Sequence, residues 1–409
     1  MQVFEPIVFP SGLLLNNRII KAAMEENMAT QMQQPGMDIL NLYYAWAKGE
    51  MGAIITGNVM VDPEAMTGPG GIALHAQSDL KPFAEWAKLS KEHGVKIIMQ
   101  INHPGRQTYK SLEGKTIAPS STPLELGKHS SMFAQPKEMT EADIQDVIAR
   151  FTTTAKKAEE AGFDGVEIHA AHGYLLSQFL SPLVNKRNDK WGGEILNRSR
   201  LLLEIVHSVK TAVSSKFSVS VKLNSADFQR GGFDINDAIF VVQQLEETNI
   251  DFVELSGGSY EAPAMQGRSA DEKTLAREAY FLEFAKSIAS QTKLKIMTTG
   301  GIRRLPVANL VVSEHIDLVG IASAMAYQSD LVKVWKTNPE AVGFTPKVNW
   351  KNKTLAALAT MALVRRQLQR VGKLKATKQD ASPLFSLIQD RWRLARLTKR
   401  YKKHMLGKS

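Results

Sequence analysis

The most chemically suggestive spacing in this 409-residue chain is His169-Ala170-Ala171-His172-Gly173-Tyr174. Two imidazoles three residues apart, on one side of a turn, can donate two hydrogen bonds to one carbonyl oxygen. These bonds withdraw charge from a conjugated alkene and stabilise the enolate that forms when hydride attacks. Tyr174 could then give a proton to the carbon side. By spacing alone, a zinc pair or two helix-capping histidines explain the motif equally well, although zinc needs further ligands.

Two other segments have features of an anion site. Lys222 ends an apolar run, where a buried lysine requires an anion such as the flavin N1–C2=O edge or an ordinary carboxylate. Residues 298–303 contain Gly300 and Gly301, whose backbone amides can approach a phosphate closely. The segment Gly320-Ile321-Ala322-Ser323 follows the next apolar run and would complete a phosphate site.

These residues need elements that bring them together. Short apolar runs alternate with helical patterns, and eight of the runs are expected to be strands: 18–23, 53–59, 96–101, 165–169, 217–223, 252–256, 295–299 and 318–321. Continuous apolar strands separated by helices indicate a parallel sheet covered on both faces, either open or closed. Eight such units in about 340 residues favour a (β/α)8 TIM barrel, in which functional residues gather at the C-terminal strand ends.

Two regions lie outside the repeat. Residues 104–138 form a long loop rich in Gly, Pro, Ser and Thr, which is typical of an active-site rim. We therefore divide the chain into a barrel over residues 1–340 and a basic helical C-terminal extension over residues 341–409. Residues 365–409 hold 14 Lys/Arg against 2 Asp/Glu, whereas the rest is close to neutral. This tail is either a solvated face of helices packed on the barrel, or a contact with anionic lipid or another subunit.

Composition limits the remaining possibilities. The chain contains no cysteine, which excludes disulfides, thiolate zinc sites, iron–sulfur clusters and cysteine nucleophiles. The N-terminus lacks the pattern of a secretory signal, and no apolar run is long enough to span a membrane. We expect a cytoplasmic homo-oligomer that acts on a small molecule, with no metal and no nucleic-acid partner.

The motifs together resemble the Old Yellow Enzyme family of NAD(P)H:flavin oxidoreductases over about residues 3–338. The segments that carry the resemblance are Leu15-Asn16-Asn17-Arg18-Ile19, residues 100–107 (QINHPGRQ), residues 165–174, residues 178–182 (QFLSP), residues 185–189 (NKRND) and Trp191-Gly192-Gly193. The resemblance implies bound FMN, NAD(P)H as reductant, and reduction of a carbonyl-conjugated alkene by a ping-pong mechanism.

It also implies roles for single positions. The family's flavin-binding positions match Ala22, Ala23, Met24 and Glu25 at the ring edge, Gly57 beneath the ring, Gln100 at the pyrimidine, Lys222 near N1, and Ala322 and Ser323 at the phosphate. Gly300, Gly301 and Arg303 are expected to complete the phosphate site. His169 and His172 match the pair that holds the substrate carbonyl, Tyr174 matches the proton donor, and Asn27 and Tyr260 are expected to line the substrate pocket.

Three positions depart from the family pattern. Glu25 replaces a threonine or cysteine that can donate to the flavin, so we expect its carboxylate either to point away or to have a raised pKa. Asn27 replaces a tyrosine of some relatives. Ser323 replaces a phosphate-binding arginine, and Arg303 or Arg304 is expected to supply the missing charge.

Two other function classes remain open. One is a flavin-barrel binding protein with weakened turnover, which the changes at Glu25 and Ser323 would favour. The other is an RNA-modifying flavoprotein such as a dihydrouridine synthase, which would account for a basic tail but relies on a cysteine that this chain lacks.

Overall fold

Eight parallel strands close into a barrel in the computed structural model, which describes residues 2–264, 278–405 and 407. Each strand is hydrogen-bonded to the next along the chain, and the eighth pairs with the first to close the ring. The strands are β1 (Ile19–Lys21), β2 (Ala53–Ile55), β3 (Lys96–Asn102), β4 (Gly165–Ala170), β5 (Ser218–Asn224), β6 (Phe252–Ser256), β7 (Lys295–Thr298) and β8 (Leu318–Ile321). The predicted TIM barrel is confirmed.

The second strand is shorter than the predicted 53–59. It ends at Ile55, and Val59–Met60 is a separate short strand that pairs with Ile72–Ala73 and with β3. The break follows from Gly57, whose N–H donates to the Tyr43 hydroxyl at 2.9 Å rather than to a neighbouring strand. A side chain on Gly57 would collide with Glu26 and with the carbonyl of Met24.

Helices alternate with the strands and cover the barrel. They are α1 (Met37–Ala47), α2 (Lys81–Lys91), α3 (Glu141–Glu160), α4 (Leu175–Leu180), α5 (Ile195–Ala212), α6 (Ile235–Glu246), α7 (Leu282–Ala289), α8 (Leu305–Ser313), α9 (Ser323–Tyr327), α10 (Leu331–Thr337), α11 (Lys353–Gly372) and α12 (Pro383–Met405). Local signals set several of these boundaries. Helix α3, for example, begins after a capping box in which Thr140 and Asp143 bond each other's backbone N–H.

A small apolar cluster closes the N-terminal end of the barrel. An antiparallel pair, Ile7–Val8 with Leu14–Leu15, packs there against inward-facing side chains of the strands. Phe9 and Phe252 lie with their ring centroids 5.7 Å apart in this cluster. With one end filled by apolar side chains, a ligand site is left for the opposite end, where the C-terminal ends of the strands meet.

The C-terminal helices α11 and α12 pack against the barrel near the loop that follows β1. Arginines of α12 donate to backbone carbonyls of that loop, from Arg393 to Asn27 at 2.7 Å and from Arg400 to Ala29 at 2.8 Å. Lys402 pairs with Glu113 at 2.6 Å. Part of the tail's positive charge therefore holds the tail to the barrel, while the division at residue 340 remains a prediction. No helix in the described part of the chain is long and apolar enough to cross a membrane.

Candidate active site

The residues of the histidine–tyrosine motif converge at the C-terminal end of β4, as the sequence predicts. The imidazole centroids of His169 and His172 lie 5.1 Å apart, and that of His169 lies 5.0 Å from the Tyr174 ring. Tyr260, from the loop after β6, joins them with its hydroxyl 3.2 Å from that of Tyr174. Four residues predicted for catalysis or substrate binding are thus in one cluster.

His172 has a left-handed backbone, with a φ of 60°, which L-residues rarely adopt. Three contacts hold it there. Its N–H donates to Asn224 Oδ1 at 3.1 Å, its carbonyl accepts from Gln107 at 3.1 Å, and its Nε2 lies 2.7 Å from the Ser256 hydroxyl. Such a conformation persists only where surrounding contacts determine it, and it is common at functional sites.

His169 presents an N–H to the site. Its Nδ1 accepts a hydrogen bond from the Ala171 N–H at 3.2 Å. Burial lowers the pKa of His169 well below its ordinary range, and the charges of His172 and Lys222 lower it further, so the ring is neutral at pH 7. A neutral imidazole that accepts at Nδ1 carries its proton on Nε2. His169 can therefore donate a hydrogen bond to a substrate oxygen.

Tyr174 keeps its proton at neutral pH. Burial raises its pKa, the nearby Glu25 charge raises it further, and the bond from Tyr260 lowers it in part. Aromatic side chains of the 104–138 loop extend this cluster. The stacked rings of Tyr109 and Phe133 have their centroids 4.8 Å apart, and the centroids of Phe133 and Tyr260 lie 6.0 Å apart. The loop therefore forms one side of the site.

Below this cluster, the barrel interior holds a network of charged side chains. Lys222 Nζ lies 2.6 Å from Glu254 Oε1, and Gln100 Nε2 donates to Glu167 Oε2 at 2.6 Å. Strand register explains the first pair, because Lys222 lies directly opposite Glu254 and both face inward. Lys222 therefore has a carboxylate partner in the structure, and its predicted place beside the flavin N1–C2=O edge stays a prediction.

Glu167 and Glu254 were not among the predicted site residues. Burial raises the pKa of Glu167 well above its ordinary range, and the neighbouring charge of Glu254 raises it further. Glu167 Oε1 and Glu254 Oε2 are both buried without a hydrogen-bond partner. A carboxylate in the middle of an apolar strand is a sequence signal that could have identified both residues, because charged side chains are rarely buried without a partner.

The loop after β1 carries the predicted flavin-edge residues. Glu25 accepts a hydrogen bond from the Thr67 hydroxyl at 2.7 Å and pairs with Arg365 of α11 at 3.3 Å. Glu25 thus has two side-chain partners in the structure, and the direction of its carboxylate relative to the flavin stays a prediction. The next residue, Glu26, accepts from Tyr43 at 2.6 Å and so positions Gly57.

Asn27 lies farther along this loop, in a left-handed conformation with a φ of 53°. Its side-chain oxygen faces Gly68, where an added Cβ would lie only 2.6 Å away. Its carbonyl accepts from Arg393 of α12. The structure thus places Asn27 at the junction with the C-terminal helices, and its role in lining the substrate pocket stays a prediction.

The predicted phosphate end lies at the C-terminal ends of β7 and β8. Gly300 and Gly301 have φ values of 120° and 71°, and Ser323 is exposed at the start of α9. Arg303 and Arg304 both pair with the buried carboxylate of Glu278, at 3.4 and 2.8 Å. The charge expected to compensate for Ser323 is therefore engaged by Glu278 in this structure.

The remaining predicted positions lie on the strands that flank this end. Ala22 is buried and donates through its N–H to the Ile321 carbonyl at 2.9 Å. Ala23 and Ala322 are half-buried and pack beside it. These three alanines thus lie where the C-terminal ends of β1 and β8 meet, next to the Gly300-Gly301 turn.

A cavity of about 430 Å³ lies between the loop after β1, the C-terminal ends of β7 and β8, and helix α11. Four predicted cofactor-binding residues line it, Met24 and Glu25 from the loop after β1, and Gly301 and Ser323 from the ends of β7 and β8. Its size is in the range of small-molecule and cofactor sites. Left-handed glycines that let backbone amides approach a ligand lie at one end. The residues present therefore fit a flavin mononucleotide.

Residues of α11 line the other side of the cavity, and sequence reasoning did not predict them. They include Thr360, Val364 and Arg365. This helix is far from the strand motifs in the sequence, and nothing in its composition links it to them. Among the described residues, no group of three or more His, Asp or Glu side chains is arranged to hold a metal ion.

Comparisons with known proteins give the family of the chain. The model of the NADH:flavin oxidoreductase / NADH oxidase family matches residues 2–340. The chain is 34% identical over 390 residues to the NADH-dependent flavin oxidoreductase nadA of Aspergillus parasiticus, covering 92% of this chain and 87% of that protein. It is 31% identical to an NADPH dehydrogenase of a Geobacillus species, covering 76% and 87% of the two chains.

The fold agrees as well. An Old Yellow Enzyme homologue from Zymomonas mobilis superposes with a TM-score of 0.71 at 21% identity, covering 84% of this chain and 94% of that structure. The sequence matches establish descent, and the superposition establishes the barrel. The chain therefore belongs to the NADH:flavin oxidoreductase / NADH oxidase family, that of Old Yellow Enzyme, and is an oxidoreductase with FMN as cofactor and NADH or NADPH as reductant.

Proposed function

We propose that the protein reduces an alkene conjugated to a carbonyl group, by a ping-pong mechanism. The observation that carries the proposal is the pairing of a neutral His169, with its proton on Nε2, and a protonated Tyr174 in one buried cluster. Reduction of such an alkene requires a hydrogen-bond donor at the oxygen and a proton donor at carbon, and these two side chains supply them.

The histidines would bind the carbonyl oxygen. His169 is a preorganised donor, since its orientation is set by the Ala171 N–H and its charge state by burial. His172 would be the second donor, with Ser256, Asn224 and Gln107 fixing its position. Donors held in place before the reaction stabilise developing negative charge without reorganisation.

Tyr174 would deliver the proton to carbon. Its raised pKa keeps the hydroxyl protonated over the physiological range, and Tyr260 lies within hydrogen-bond distance to orient it. Tyr260 is itself buried with a raised pKa, so it can donate to Tyr174 after the proton has been transferred.

FMN, when bound, supplies transfer of a hydride between NAD(P)H and the substrate. Met24, Glu25, Gly301 and Ser323 would hold it, because they line the cavity at the C-terminal ends of β1, β7 and β8. The resemblance implies that NAD(P)H and the alkene use the same side of this cavity in turn, which is the basis for a ping-pong sequence. Cytoplasmic location and a homo-oligomer remain predictions.

The test is anaerobic. Purified protein should be yellow, lose its visible absorbance on addition of NADH or NADPH, and regain it on addition of 2-cyclohexenone. His169→Ala should keep the first step and slow the second by about 10²–10³-fold, the usual effect of losing one such donor. Bleaching without recovery by any conjugated carbonyl compound would contradict alkene reduction and favour a weakened binding protein.

We also propose that the exposed face of α12 binds an anionic membrane surface. Leu384, Phe385, Ile388 and Trp392 are exposed there, and the charged side chains exposed beside them, Arg391, Arg396, Lys399 and Lys403, are all positive. This pairing of apolar and basic groups suits anionic lipid, whereas a second copy of the same face would repel it.

The double variant Ile388→Ser/Trp392→Ser should abolish co-sedimentation with phosphatidylserine vesicles. Loss of a dimer instead would overturn the proposal.

A further inference from the structure

One wall of the flavin cavity comes from outside the part of the chain that the family model matches. That match ends at residue 340, and helix α11 spans Lys353–Gly372. Seven residues of α11 nevertheless line the cavity, and their spacing places them on a single helix face: Ala356, Ala357, Thr360, Met361, Val364, Arg365 and Leu368. Helix α11 thus lies over the cavity as its cover.

The opposite face of α11 is fixed to the barrel. Ala359 and Leu363 are buried there, and Asn41 of α1 donates to the Gly372 carbonyl at 2.9 Å at the end of α11. Thr377, just beyond the helix, donates to the Tyr327 carbonyl of α9 at 2.8 Å. Because α9 begins at Ser323, the cover is attached to the same element that carries the predicted phosphate-binding serine.

A charged cluster attaches the cover to the flavin-edge loop. Arg365 lies between two carboxylates, 3.3 Å from Glu25 and 3.1 Å from Asp390 of α12. Glu25 also accepts from Thr67. The three charged side chains are at most about a quarter exposed, so their attraction is screened less than that of a surface pair. Breaking such a buried contact on one side leaves an uncompensated charge.

This cluster explains why a carboxylate is tolerated at position 25. A carboxylate at the flavin edge would be costly if it faced the cofactor alone, but Arg365 compensates its charge across the mouth of the cavity. Among the described residues that line the cavity, Arg365 is the one cation and Glu25 the one anion. The two residues are 340 positions apart and meet only because α11 folds over the barrel.

We propose that α11 is a part of the flavin-binding site, and that Arg365 is the positioning residue that holds it closed over the cofactor through Glu25 and Asp390. FMN affinity then depends on a helix beyond the family region. The proposal concerns retention of the cofactor and stands whether or not an alkene is the substrate.

The test measures the dissociation constant of FMN by fluorescence quenching, with full-length protein from which the flavin has been removed. Arg365→Met should weaken FMN binding at least tenfold. Arg396→Met, which removes an exposed guanidinium of α12 that lies over Trp392, should leave binding unchanged. A double variant with Glu25→Gln should lose less than the sum of the two single losses, because both act through one contact.

A second pair of variants covers the case in which Arg365→Met does not fold. Ala357→Leu adds bulk to the cavity side of α11 and should weaken FMN binding at least tenfold. Thr354→Leu adds bulk at an exposed position of the same helix, outside the cavity, and should leave binding unchanged. Wild-type FMN affinity in both Arg365→Met and Ala357→Leu would overturn the proposal. So would a lowered melting temperature of Arg365→Met with unchanged affinity, because that result would make α11 a purely stabilising element.

Discussion

Tyr174 illustrates how burial adjusts a single side chain for its task. A phenol in water is a weak proton donor, and burial near Glu25 makes this one weaker still in its resting state. The gain is that its charge state does not change over the physiological range. In the proposed reaction, the proton would move only when a stronger base, the carbon next to the activated carbonyl, is formed within reach.

Replacing Tyr174 by phenylalanine should therefore slow the oxidative half-reaction with an enone by about 10²–10⁴-fold, the range for loss of a general acid. Reduction by NAD(P)H should be unaffected, because it requires no proton from this residue. Stopped-flow absorbance measures the two half-reactions separately. Tyr260→Phe, which removes the hydroxyl 3.2 Å away, should have a smaller effect; a larger loss in Tyr260→Phe than in Tyr174→Phe would assign the proton to Tyr260.

At the scale of elements, β5 and β6 are joined by a side-chain ion pair as well as by backbone hydrogen bonds. Lys222 and Glu254 lie in register and form an ion pair in which both side chains are almost completely buried. Glu254 also interacts with Glu167 of β4, whose pKa burial raises. Three adjacent strands are thus connected through their inward-facing side chains at the level just below the histidine cluster.

Removing one member of this pair should be costly. Glu254→Leu leaves the Lys222 ammonium without its carboxylate and should lower the free energy of unfolding by about 3–5 kcal/mol. Adding Lys222→Met should restore most of the lost free energy of unfolding, because both buried charges are then absent. Urea titration at a fixed FMN concentration gives the values. The exposed pair Lys286–Glu314 provides the comparison, since Glu314→Gln should cost under about 1 kcal/mol.

At the scale of the whole molecule, buried histidines make the fold sensitive to acid. Burial lowers the pKa of His103 to about 4, an effect that the charge of Asp62 opposes in part. The ring is therefore neutral in the folded protein at pH 5, whereas in the unfolded chain it takes up a proton near its ordinary pKa of about 6.5. The stability from this residue is complete above pH 6.5 and is lost as the pH falls toward 4.

Between pH 8 and pH 5, His103 should account for about 2 kcal/mol of lost unfolding free energy. His103→Asn keeps a side-chain acceptor for the Gly105 N–H and should flatten the pH dependence by that amount. His93→Gln, at an exposed position, should not. Urea titrations at several pH values measure the difference, and parallel curves for wild type and His103→Asn would contradict the assignment.

Much of the architecture follows from local patterns in the sequence. Apolar runs separated by amphipathic helices specify the eight strands, because alternating burial of neighbouring elements leaves few other arrangements. The order of the strands then carries His169, Tyr174 and the Gly300-Gly301 turn to one end of the barrel. The family motifs lie on the same short segments, which is why the fold, the cofactor and the proximity of His169, His172 and Tyr174 could be predicted.

Tertiary structure decided which groups pair. Arg365 meets Glu25 across 340 residues, Lys222 selects Glu254, and Arg303 and Arg304 are engaged by Glu278. Asn27, predicted for the substrate pocket, is turned toward Gly68 and the C-terminal helices. The sequence determines the barrel and the chemical types at its C-terminal end, because periodicity and strand order are local. The partners of charged side chains depend on the packing of distant segments. A buried charge is costly unless it is paired, and the fold determines which opposite charge lies within reach.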